Sequence, residues 1–128
     1  MEMTVWMDAW QMQCCGEKFR VGSTVEWTLG PAGQDWLASV LGEAAAEVDA
    51  REEHHGGVSK ETLGTRGQVQ SITAVHCRYA PTPGADSGTR YPVKGTQVLT
   101  AVESADRWTQ KDHDELLFVG YLVRLATT

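Results

Sequence analysis

LLFVGYLVRL, residues 116–125, is the most apolar stretch of the chain and the one on which the fold turns. Its side chains alternate, with Leu117, Val119, Tyr121, Val123 and Leu125 in one parity and Leu116, Phe118, Leu122 and Arg124 in the other. A period of two marks a strand, and apolar residues in both parities predict a central strand covered on both faces. Gly120 in its middle predicts a bend or a close approach by a neighbour.

Working back along the chain, residues 67–79 (GQVQSITAVHCRY) form a second long β-rich run. Val69, Val75, Cys77 and Tyr79 share one parity, whereas Ile72, Ala74 and His76 share the other. That switch predicts a bulge between Val69 and Ile72, or a strand buried on both faces. Residues 97–102 read as a further strand. Residues 19–29 (FRVGSTVEWTL) place Val25, Trp27 and Leu29 on one face against Thr24, Glu26 and Thr28, with Gly22-Ser23 supplying a bend. Residues 4–11 (TVWMDAWQ) are rich in β-formers and predict the first strand. Between these, 80–89 (APTPGADSGT) is dense in turn residues and predicts a mobile loop. Residues 50–65 and 104–115 read as polar connections, and no internal repeat is present.

One segment departs from the period of two. Trp36, Leu37, Val40, Leu41, Ala44, Ala45 and Val48 recur at three and four residues. They form the apolar stripe of a helix over 35–49, with Asp35 as its N-cap. Trp27 and Trp36 read as core. About five strands and one helix predict a mainly β fold: a single domain over 1–128, built as a small, partly open antiparallel β-barrel. It would be SH3-like or OB-like, with the helix plugging or covering one opening.

The chain has 128 residues, 41% hydrophobic and 22% charged, which fits one ordinary globular domain. Its formal charge is −6 and its eleven Lys and Arg are scattered singly, so no basic stripe exists to track a phosphate backbone. Nucleic acid is thereby disfavoured as a partner. No apolar run approaches the roughly 18–20 residues of a membrane span, so no membrane partner is expected. Residues 1–13 lack the basic-then-apolar order of a secretory signal. Three cysteines, two of them adjacent, do not make a disulfide framework. Reduced thiols and a cytoplasmic location are expected.

Three constellations could carry chemistry. Cys14, Cys15, His54, His55, His76, Cys77 and His113 are the candidate metal ligands, but they fall in adjacent pairs. Neighbours on a strand point to opposite faces, so each pair offers one ligand, and the usual spacing of two to four residues is absent. Buried, hydrophobe-like cysteines are the simpler reading. Cys15 beside a histidine, with Asp8 orienting it, could form a thiolate–imidazole pair, and His54 or His55 in a loop could act as a base. No nucleophile motif accompanies them, and Gly56-Gly57 lacks the context of a phosphate loop. Finally, Trp6, Asp8 and Trp10 fall on one face of the first strand. Two indoles flanking a carboxylate fit a groove wall, or a buried face on which Asp8 accepts backbone hydrogen bonds.

The motifs Trp10-Gln11-Met12-Gln13-Cys14-Cys15-Gly16 and Phe19-Arg20-Val21-Gly22, with Glu52-Glu53-His54-His55-Gly56-Gly57, Val75-His76-Cys77-Arg78-Tyr79 and Phe118-Val119-Gly120-Tyr121-Leu122, span most of the chain. Together they resemble a group of small actinobacterial, Streptomyces-type proteins known only as a domain of unknown function. The resemblance implies a bacterial cytoplasmic setting and no particular activity. The residues themselves point to a non-enzymatic binding module for a protein or small-molecule ligand, with no cofactor. Candidate ligand-binding residues are Trp6, Asp8, Trp10, His54, His55, His76 and Arg78. A homo-oligomer is compatible with this reading. The alternatives are a Cys/His metal-binding protein or metalloenzyme, and a cofactor-free hydrolase using a loop histidine.

Overall fold

A computed structural model of the chain describes residues 1–9, 18–52, 64–81, 90–105 and 116–127. The fold is mainly β, a nearly closed barrel-like sheet of six strands with one helix. In chain order the elements begin with β1 (Glu2–Asp8), β2 (Phe19–Arg20), β3 (Thr24–Trp27) and β4 (Leu29–Gly30). Next come α1 (Gln34–Leu41), a 3-10 helix (Gly42–Glu47) and β5 (Ala50–Glu52). The chain continues through β6 (Thr65–Pro81), β7 (Arg90–Pro92), β8 (Val98–Val102), β9 (Ser104–Ala105) and β10 (Leu116–Thr127).

The sheet order is β3-β6-β10-β1-β5-β4. Its two ends are neighbours in sequence, joined through Thr28, so the ring closes through the chain itself. Strand pairs are antiparallel except β1 with β5, where Val5 lies beside Ala50 and Trp6 beside Arg51. A parallel neighbour requires a long crossover, and the segment carrying α1 supplies it. The central strand read from the sequence is β10, which pairs β6 on one side and β1 on the other. β6 is long enough to pair β3, β8 and β7 in succession along its other edge.

Both parity anomalies resolve into bulges. The β6–β10 register passes from Ser71 to Val69 while β10 advances by one residue, so Gln70 is the extra residue expected between Val69 and Ile72. A second shift falls between Phe118 and Gly120 and makes Val119 the extra residue on β10. It changes one expectation. Val119 does not share a face with Tyr121; Phe118 takes its place, 4.8 Å from the Tyr121 ring, and Val119 turns to the opposite side. The cause lies at Gly120. A Cβ there would come 2.4 Å from the Met7 carbonyl oxygen and 2.6 Å from Trp6 Cζ2, so the strand gives way beneath the Trp6 ring.

Two cores follow from this alternation. The barrel interior holds Val5, Met7, Phe19, Val69, Ile72, Ala74, Tyr121, Val123 and Leu125. Val25, Trp27 and Leu29 pack onto it, as the alternation in 19–29 predicts. On the reverse face, Trp6, Val75, Cys77 and Val119 meet the helical stripe of Leu37, Val40, Leu41, Ala45 and Val48. The helix starts one residue before the expected N-cap Asp35, because Gly33 takes the capping position with φ of 70°. Asp35 instead lies in the first turn, where a carboxylate favours the helix dipole. After Leu41 the helix tightens into a 3-10 turn.

Two connections hold short strands that their polarity concealed. Residues 50–52 are β5 rather than loop, and 104–105 are β9, paired with β2. Strand β6 runs to Pro81 and β7 starts at Arg90; the remainder of the expected mobile loop lies outside the described residues. Among the described residues, no helix is long and apolar enough to cross a membrane.

Candidate functional site

The site is built on the reverse face of β1, where β1, β5 and the start of α1 meet. Trp6 and Asp8 share that face, as their spacing predicts. Trp6 is fully buried, and its indole Nε1 donates to Asp8 Oδ1 at 2.9 Å. The carboxylate is 2% exposed. Its second oxygen accepts from Arg51 Nε at 2.9 Å and from Arg51 Nη2. A buried carboxylate is tolerable once its lone pairs are occupied, and here the Trp6 and Arg51 side chains occupy both oxygens.

Arg51 reaches Asp8 because the parallel pairing of β5 sets it beside Trp6. Its surroundings are cut to fit. Gly30 is its neighbour on β4, and a Cβ on Gly33 would lie 3.3 Å from Arg51 Nη1. Trp36 rests over this pair. Its ring is 5.8 Å from that of Trp6 and 5.7 Å from the Arg51 guanidinium carbon. Trp36 is 36% exposed, so it is not the core residue its place in the helical stripe suggests. It lies at the stripe's edge, where the helix leaves the sheet. The result is a layered cluster: sealed Trp6 and Asp8 beneath, and an open Trp36 indole that touches both the Trp6 ring and the Arg51 guanidinium.

Tyr79 borders the same face. Burial raises its pKa above the ordinary value, and the negative charges of ionised Cys77 and of Asp8 push it further in the same direction. Cys77 is buried against the helix, and desolvation pushes its thiol up to about 11. Its surroundings are those of a packing group: Cys77 is fully buried among Trp6, Val75, Val119 and the helical stripe.

His76 and Arg78 do not join this cluster. His76 is buried on the opposite face of β6, its ring 5.6 Å from Phe118, so His76 and Cys77 point apart as neighbours on a strand should. Arg78 is exposed on β6, its backbone N–H donating to Thr96 Oγ1 at 3.0 Å. Trp10, Cys14, Cys15, His54, His55 and His113 lie outside the described residues. Among the described residues, no three of His, Cys, Asp and Glu converge as a metal site would require. Arg51 and Trp36 are the members of this cluster missed from sequence. The signal for Arg51 was indirect: a carboxylate between apolar neighbours on a buried face calls for a cation, and Arg51 closes the helical segment that covers that face.

A family model, described as a family of unknown function (DUF6578), matches residues 1–127. No curated protein and no solved structure matches the chain.

Proposed function

The chain belongs to this family of unknown function, and on that premise we propose that it is a non-enzymatic binding module whose recognition surface is Trp36 stacked on Arg51. The observation that carries this reading is the stack itself. An exposed indole is held over a guanidinium that is fixed from below by a buried carboxylate. Such a surface is rigid before a ligand arrives, so little ordering entropy is lost on binding. Trp and Arg are also the side chains that most often dominate recognition surfaces. The ligand is a protein segment or small molecule presenting a flat or apolar group to the indole.

The inertness of the nearby titratable groups supports a binding role over catalysis. The Cys77 thiol stays protonated, and His76 is buried against Phe118, away from this surface. A reducing, cytoplasmic setting in a bacterium completes the reading, supported by the odd cysteine count.

The test is a protein-observed NMR screen with flat aromatic and aliphatic fragments. Shifts are expected to gather on the Trp36 indole, Arg51 and Tyr79, and to vanish in Trp36→Ala while the remaining spectrum persists. Fragments that bind elsewhere, or that bind Trp36→Ala equally well, would overturn the proposal.

A further inference from the structure

Among the strands paired on one side only, β8 is the five-residue one that carries neither charge nor proline. It pairs only with β6, so among the described residues its far edge has no strand partner. Leu99, Thr100 and Ala101 are exposed in succession, Leu99 by 43%. Natural edge strands are usually blunted by a charge, a proline or a bulge. Residues 98–102, VLTAV, contain no charge and no proline, and their pairing with β6 runs without a register shift.

We infer that this edge is completed by β8 of a second copy, joined antiparallel across a two-fold axis at Thr100. The sequence is close to self-complementary in that register. Val98 meets Val102 of the second copy, Leu99 meets Ala101, and Thr100 meets itself. All are apolar or hydroxyl pairs that favour a cross-strand neighbour.

The charge pattern admits this occupant at β8. The chain carries a formal charge of −6, so two copies repel over most of their surface. In this register uncharged Gln97 falls opposite Glu103, and no like charges meet. The alternation of β6 also places Leu99 on the face bearing Val75, beside the helix, where Ala101 of the second copy would cover it. An isologous pair of this kind closes on itself at β8.

The test is sedimentation of the full chain with a single edge substitution. Wild type is expected to be dimeric at high micromolar concentration. Thr100→Lys sets two ammonium groups face to face on the axis, and should weaken the dimer at least about tenfold without altering the circular dichroism spectrum. An independent measurement keeps the inference open to refutation if that variant misfolds. In a Cys14→Ser, Cys15→Ser background, oxidised Thr100→Cys should crosslink to itself readily and Leu99→Cys should not. A monomeric wild type, a dimer indifferent to Thr100→Lys, or preferential crosslinking through Leu99→Cys would each overturn the inference.

Discussion

On β1, Val5 and Met7 face the barrel interior, while Trp6 and Asp8 face the helix. The interior is held by apolar packing, whose strength follows the area buried and is indifferent to direction. The helix-covered face adds a directed chain of contacts from Trp6 to Asp8, Arg51 and Trp36, which runs from full burial to solvent. Four consecutive residues thus serve both purposes. The difference teaches that stability and surface display are separated here by strand parity rather than by domain.

Substitutions on the two faces should therefore fail differently. The largest effect is expected in the interior, where Ile72→Ala leaves a cavity and costs about 3–4 kcal/mol in urea unfolding. Gly120→Ala lies at the junction of the two faces. Its new methyl would drive into the Met7 carbonyl and the Trp6 ring, at a cost of about 3 kcal/mol, with the near-UV tryptophan signal changed. Asp8→Asn removes the charge that fixes Arg51 and should cost about 1–2 kcal/mol, reduced because the Arg51 side chain is 25% exposed. Trp36→Ala should cost about 1 kcal/mol or less, since a half-open indole contributes little more than its contacts with Trp6 and the guanidinium. If Trp36→Ala proved as damaging as Ile72→Ala, the distinction between the faces would collapse.

A separate effect is a pH dependence. The Cys77 thiol is raised from an ordinary 9.0 to about 11 in the folded chain. Its contribution to stability is fully present below pH 9 and is lost as pH rises through 11. Wild type should therefore lose stability over that interval more steeply than Cys77→Ala. Equal slopes would mean that the thiol is hydrated.

Much of the barrel was legible in the sequence because its long strands announce themselves. The parity break before Ile72 located the Gln70 bulge, and Gly120 marked a close approach, since both leave a local trace in side-chain order. The Val119 bulge escaped because every residue around it is apolar, so a change of face left no contrast to read. The site was half legible. Trp6 and Asp8 share a face by spacing alone, but their cation sits on a strand of three residues inside a polar run. It is brought beside β1 by a parallel pairing across more than forty positions. No local pattern encodes such a contact. Trp36 was placed in the core because periodicity reports which stripe a residue joins, not how near the stripe's edge it stands.

One tryptophan is sealed and its neighbour displayed, and hydrogen exchange at the indole N–H groups measures this directly. The Trp6 Nε1 proton, bonded to Asp8 and without solvent exposure, should exchange only as the whole molecule unfolds, whereas that of Trp36 should exchange orders of magnitude faster. Rapid exchange at Trp6, or equal protection of the two, would contradict it.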